Sequence, residues 1–177
     1  MLFEIPVVGF AAYSGTGKTT LLVRLLRLFT IQGLRVGIVK HAHHTFEIDH
    51  PGKDSYELRQ AGASQVLVGS RRRWALMAET PKPPQDALAF YLDHLDRSLL
   101  DLVLVEGFKP ESIPKIELHR PSLGKPLLYP EDNDIIAVAT DSPLVEVPPI
   151  PVFDLNDPAV VADFIIDRFK PTRQTDG

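Results

Sequence analysis

The chain of 177 residues has no cysteine. That excludes disulfides, thiol catalysis and thiolate metal sites. It also lacks an excess of positive charge: 19 Lys and Arg stand against 23 Asp and Glu, a formal net charge of −4. No global basic field draws the chain to nucleic acid or to a membrane surface, and neither is expected as a partner. No stretch approaches the ~20 apolar residues of a membrane span. The opening MLFEIPVVGF has no basic segment ahead of its short apolar run, so it is expected to be a first strand rather than a secretory leader, with a cytoplasmic location. Internal repeats and low-complexity segments are missing too. What is present is 44% hydrophobic and 24% charged residues, an ordinary globular balance. The length suits one nucleotide-binding domain over residues 1–170 with a full sheet-and-helix core, followed by an unstructured tail at 171–177.

The strongest positive signal is IPVVGFAAYSGTGKTTLLVRLLRLF at residues 5–29. It reads as an apolar strand, a glycine loop and an amphipathic helix with no gap between them. A loop that ends in Gly-Lys-Thr and turns straight into a helix is built to hold nucleotide phosphate. Backbone N–H groups point into it, and the positive end of the helix dipole faces the same spot. Ser14, Gly15, Thr16, Gly17 and Thr20 are candidate phosphate contacts. Lys18 can reach the outer phosphates, and the Thr19 hydroxyl can ligate Mg²⁺. The usual pattern opens with glycine five positions before Gly17, where this chain has Ala12.

The rest alternates strands and helices. The spacing predicts strand one over about 5–11 and a helix from Lys18 with Leu21, Leu22, Leu25, Leu26 and Phe29 as its buried stripe, ending at Gly33. A second strand covers 34–40, and a polar loop runs from 41 to 53. Asp54 or Ser55 is expected to cap a short helix, SYELRQAGA. QVLVGS and RWALMAE read as a hairpin turning at 70–72. A helix follows over about 85–97, then the apolar strand DLVLVEGF at 101–108. KIELHR, DIIAVATD and IPVFDL are later strands, and 157–169 is the last helix, with Val160, Val161, Phe164, Ile165 and Phe169 on one side. Many of the 16 prolines lie between 110 and 158, which implies long ordered loops there. Repeated strand–helix–strand units mean an α/β fold, a mostly parallel sheet flanked by helices, with a short antiparallel extension. Ligands in such sheets sit beyond the carboxyl ends of the strands.

Further candidates follow from that rule. Glu106, at the end of an apolar strand and before Gly107, reads as the acidic strand end of a P-loop site, able to hold Mg²⁺ or orient a water. Asp101 opens the same strand at the far end and reads as a solvated turn residue. Lys40 and His41 directly follow strand two, and Asp49 is a candidate second carboxylate for Mg²⁺. His41, His43, His44 and His50 fit no closed zinc spacing, and His43 and His44 read as parts of a wet loop. Lys53 and Asp54 could position phosphate or cap the next helix. Arg71, Arg72 and Arg73 read as a solvated turn, with docking of a phosphorylated co-substrate as the alternative, and Trp74 reads as core.

FAAYSGTGKTTLL, IVKHAHH, DHPGKDSYELRQAGA, RWALMAETP, DLVLVEGFK and IAVATD are the specific pieces of a likeness that covers nearly all of residues 5–169. In that combination the chain resembles the molybdopterin-guanine dinucleotide biosynthesis adapter proteins, the MobB family, whose own loop accommodates Ala12. The resemblance implies a P-loop NTPase fold of the class of dethiobiotin synthetase and the signal-recognition GTPases. It implies a GTP- and Mg²⁺-binding homodimer with weak hydrolysis, which assists the guanylyltransferase that joins GMP to molybdopterin. By the same resemblance Gly15, Gly17, Lys18, Thr19 and Thr20 bind phosphate and Mg²⁺, and Glu106 and Lys18 carry what hydrolysis there is. Thr140 and Asp141 lie where related GTPases read guanine, although the full Asn-Lys-x-Asp form is absent. The alternative is a small P-loop kinase or ligase acting on a metabolite, which would need a closing lid with arginines.

Overall fold

A computed structural model of the chain describes residues 5–42, 47–80, 82 and 87–171. The expectations for His43, His44 and the tail from 172 onward lie outside the described residues. The chain divides into two compact units, one made of Met1–His41 and Leu88–Gly177, the other of Ala42–Ala87.

The first unit is a six-stranded sheet built from β1 (Val7–Ala12), β2 (Val36–Lys40), β5 (Leu102–Glu106), β6 (Lys115–His119), β7 (Ile135–Thr140) and β8 (Val152–Asp154). Its order is β2-β5-β1-β6-β7-β8 and every pairing is parallel. The near-continuous apolar character of β1 and β5 suits central strands covered on both faces. Leu102, Val103, Leu104 and Val105 are all buried. Because all six strands run the same way, Ala12, Lys40, Glu106, His119, Thr140 and Asp154 finish at one edge of the sheet.

Helix α1 (Lys18–Ile31) buries Leu21, Leu22, Leu25 and Phe29 against that sheet. Their spacing of three and four places them on one stripe, and each such side chain contributes about 1.5–3 kcal/mol by leaving water. The helix stops where Gly33 takes a positive φ of 78°. Helix α4 (Pro158–Phe169) begins at Asp157, whose side chain accepts from the Ala159 N–H, and buries Val161, Ala162 and Ile165. Val160, expected on that face, is 37% exposed; the stripe is rotated so that Ala162 takes its place. Among the described residues helix α3 covers Ala87–Asp93, and the chain then turns through a 3-10 segment at Arg97–Leu99, where the Asp96 side chain accepts the Ser98 N–H. The sequence spacing had suggested one helix to residue 97.

Asp101 corrects its reading as a solvated turn residue. It is 3% exposed. Its carboxylate accepts from Arg35 through the backbone N–H (2.8 Å), Nε (3.2 Å) and the terminal guanidinium nitrogen (3.0 Å). The pair ties the starts of β2 and β5 together, at the end of the sheet away from the shared carboxyl edge.

The second unit contains α2 (Asp54–Gln60) and an antiparallel hairpin of β3 (Gln65–Gly69) and β4 (Trp74–Ala78). The N-cap of α2 is Lys53, with no side-chain cap, rather than Asp54 or Ser55. Ser70 organises the turn, its Oγ accepting the Arg73 N–H at 3.1 Å. Trp74 is 66% exposed, not core, because a two-stranded sheet has too little partner surface to cover an outward-facing indole.

Candidate functional site at the carboxyl edge of the sheet

β1 ends at Ala12 and the chain loops through Tyr13–Gly17 into α1. Gly15 and Gly17 have φ of +82° and +97°, a region that side-chain-bearing residues rarely adopt. Thr16 is buried, and its hydroxyl donates to the Tyr13 carbonyl at 2.7 Å. Its side chain therefore staples the loop, and its backbone N–H turns back to the same Tyr13 carbonyl at 3.4 Å. Gly17 is the N-cap of α1, with no side-chain cap and no acidic residue in the first turn. The first N–H groups of a 14-residue helix are thus left to an outside acceptor. Ser14, Gly15, Thr19 and Thr20 are exposed around this opening.

The acidic strand end falls beside it. Phe10 of β1 and Lys40 of β2 are both in register with Glu106 of β5. The Glu106 carboxylate lies 3.6 Å from Lys18 Nζ and 4.0 Å from Lys40 Nζ. Gly107 then turns the chain with φ +92°, and a Cβ there would sit 3.1 Å from the His41 carbonyl oxygen. The His41 N–H donates to the Glu106 carbonyl at 2.9 Å, and its ring packs edge-on against Phe108. His41 thus shapes the wall behind Glu106.

Arg120 was not among the sequence candidates. It follows β6 directly, at the same edge. Its Nε donates to the Thr16 carbonyl at 2.7 Å, and its guanidinium pairs with Asp141. A Cβ at Gly17 would lie 3.4 Å from the same guanidinium. Arg120 therefore braces the phosphate loop against the end of β7. A cation placed immediately after a strand was the signal available for finding it. Thr140 is buried with its hydroxyl donating to the Ser142 carbonyl. An open groove at these strand ends is lined by Thr140–Pro143 and Val152–Asp154.

Lys109 also reaches this region, its ammonium 4.8 Å from the centre of the Tyr13 ring. Partial removal from water, and then the charge of Lys18, hold it below the ordinary lysine value. On β6, Glu117 is fully buried and accepts the N–H groups of Leu128 and Tyr129 at 2.8 and 2.9 Å. Burial pushes its carboxyl up, against the pull of those donors. Burial likewise holds His119 below the usual imidazole value. Glu117 thus organises the loop after β6 rather than the opening.

Asp49 belongs to the second unit. Its carboxylate pairs with Arg59 at 2.9 Å, and Arg59 also holds Glu47 and Glu79 and lies over the Tyr56 ring. Its other oxygen, Oδ2, is buried with no partner among the described residues. His50 is exposed. Among the described residues no group of three or more His, Asp or Glu could hold a metal by itself. Mg²⁺ takes one or two protein oxygens and completes its shell with phosphate and water. Thr19 and Glu106 supply hard oxygen donors of that kind.

A family model described as molybdopterin guanine dinucleotide synthesis protein B matches residues 7–141. The molybdopterin-guanine dinucleotide biosynthesis adapter protein of Escherichia coli K12 is 49% identical over 164 residues, 92% of this chain and 93% of that one. The protein of the same description from Haemophilus influenzae is 48% identical over 163 residues, 92% of this chain and 88% of that one. Among solved structures, Bacillus subtilis MobB superposes with a TM-score of 0.70 at 27% identity, over 95% of this chain and all of that one.

Proposed function

The chain belongs to the molybdopterin guanine dinucleotide synthesis protein B family, and on that premise we propose that it is a GTP-binding adapter of molybdenum-cofactor biosynthesis. Its role is to assist the guanylyltransferase that attaches GMP to molybdopterin, with only slow hydrolysis of its own GTP. The observation that carries the reading is the uncapped start of α1, whose first residue is Lys18, with the Glu106 carboxylate 3.6 Å from that lysine.

Each residue has a physical task. The loop from Ser14 to Gly17 and the first turn of α1 present N–H groups to phosphate oxygens. Lys18 adds a point charge. Thr19 and Glu106 are the residues that would hold Mg²⁺, which when bound neutralises charge on the outer phosphates. Lys40 keeps Glu106 oriented at the edge, and Arg120 keeps the loop in shape through the Thr16 carbonyl. Thr140 and Asp141 face the base, with Arg120 fixing Asp141 from behind. The kinase alternative is disfavoured because Arg71–Arg73 lie on a hairpin turn ordered by Ser70 and nothing else in the sequence suggests an arginine-bearing lid.

The active form we propose is a cytoplasmic homodimer. The β3–β4 hairpin has open strand edges within the described residues and exposes Leu67, Trp74 and Leu76, features that favour strand addition by a second copy. Calorimetry with GTP and ATP, with and without Mg²⁺, followed by capture with the purified guanylyltransferase, tests the reading. Mg²⁺-enhanced binding of GTP over ATP and capture of the transferase are expected. Absence of nucleotide binding, or rapid phosphoryl transfer to a metabolite, overturns it. Sedimentation at twice the 19.7 kDa chain mass is expected, and a monomer at micromolar concentration removes the dimer.

A further inference from the structure

We propose that Lys109 is a specificity-determining ligand of the terminal phosphate, by which the site distinguishes a nucleoside triphosphate from a diphosphate. The inference rests on the phosphate-loop reading above and names one further contact within that site.

The strand order supplies the direction. Thr140 ends β7 with Asp141 directly after it, and the phosphate loop follows β1. In the order β2-β5-β1-β6-β7-β8, β7 lies on one side of β1 and β5 on the other. A nucleotide with its base at the β7 end and its inner phosphates over the loop must run onward toward the end of β5. The residues that follow β5 there are Gly107, Phe108 and Lys109.

The position of Lys109 is built rather than incidental. Its side chain is accessible, and its ammonium stands 4.8 Å over the ring of Tyr13, the first residue of the phosphate loop. Its backbone is pinned from below by Lys115, which is 2% exposed and donates to the Lys109 carbonyl at 3.0 Å and the Glu111 carbonyl at 2.7 Å. Asp132 at 2.9 Å neutralises Lys115, so that buried lysine serves the turn and not the ligand. Lys109 has no carboxylate within ion-pair distance among the described residues. Lys18 is near enough for the two ammonium charges to oppose each other. Lys18 and Lys40 already share the single carboxylate of Glu106. Buried Glu117 draws Lys109 the other way, so three cations stand against two carboxylates, a surplus that a highly charged anion relieves, and the aromatic ring holds Lys109 in reach until it arrives.

The test is calorimetry of GTP and GDP, each with Mg²⁺, on the wild type, Lys109→Met and Lys109→Arg. Methionine keeps the apolar stem over Tyr13 and removes the charge. GTP affinity should fall about 10- to 100-fold in Lys109→Met, as loss of a charge-assisted hydrogen bond requires. GDP affinity should stay within about threefold, and Lys109→Arg should recover most of the discrimination. Equal loss for both nucleotides, or no loss for either, overturns the proposal while leaving the phosphate loop standing. A wild type that binds neither nucleotide removes the loop reading itself. Should Lys109→Met fail to fold, acetylation of wild-type lysines read by mass spectrometry decides the matter. Protection of Lys109 by GTP and not by GDP supports the contact, and equal protection by both overturns it.

Discussion

Replacing Glu106 by Gln should change nucleotide binding in opposite directions with and without metal. The carboxylate lies 3.6 Å from Lys18 Nζ, and the two side chains are 13% and 18% exposed. At that separation the attraction is about 1 kcal/mol in bulk water and about 4–5 kcal/mol at an effective dielectric of ~20. Without metal, an incoming phosphate must take Lys18 from this carboxylate and then sit near it. A phosphate oxygen within hydrogen-bond reach of Lys18 stands about 6 Å from the carboxylate. At an intermediate dielectric of ~40 that repulsion is about 1.4 kcal/mol per unit charge. Glu106→Gln removes it, so metal-free GTP affinity should rise about tenfold. With Mg²⁺ the sign reverses, because the metal converts carboxylate and phosphate from repelling neighbours into shared ligands. The Mg²⁺ enhancement, measured as the ratio of affinities in Mg²⁺ and in EDTA, should therefore fall by more than the roughly tenfold that the metal-free gain alone produces, and slow hydrolysis should fall with it. Titration of a fluorescent GTP analogue in both buffers measures the ratio. A weaker metal-free affinity in the variant, or an unchanged Mg²⁺ enhancement, would show that Glu106 does not face the phosphates.

Lys18→Ala should abolish detectable GTP binding while leaving the thermal midpoint within a few degrees of wild type, because Lys18 lies outside the buried stripe of α1; near-wild-type affinity by calorimetry would contradict the phosphate-loop reading. Asp101→Asn should cost about 1.5–3 kcal/mol in urea unfolding through loss of the charge-assisted bonds to Arg35, with GTP affinity unchanged because the pair lies at the opposite end of the sheet. Glu117→Gln should destabilise by about 1–3 kcal/mol, since an amide accepts only one of the two N–H groups now held and presents its own NH₂ to the other; a neutral result by chemical denaturation would contradict the geometry. Burial lowers the folded-state value of His119, so between that value and the ordinary ~6.5 the unfolded chain binds the extra proton. Stability from this group is intact above about 6.5 and lost as pH falls below it, and His119→Gln should flatten that part of a pH series of urea midpoints.

The fold and the centre of the site were legible because their signals are local. A strand, a glycine loop and the 3–4 spacing of Leu21, Leu22, Leu25 and Phe29 need no knowledge of what packs against them, and α1 formed where they said. Glu106 was legible by the same logic, since an apolar run ending in Glu-Gly marks a strand end at the ligand edge. What the sequence concealed depends on which strands become neighbours. Asp101 looks solvated until β2 and β5 are known to lie side by side, which brings Arg35 onto it across 66 positions. Arg120 looks like the polar end of KIELHR until β6 is placed between β1 and β7, where a single guanidinium spans the Thr16 carbonyl and Asp141. Trp74 failed for the converse reason: composition favours an indole in a core, and its sheet has only two strands. The parallel order, rather than any one motif, turns six separate strand ends into one edge, and the cations gathered at that edge, Lys18, Lys40 and Arg120, are what the proposed anion site would draw on in a chain of net negative charge.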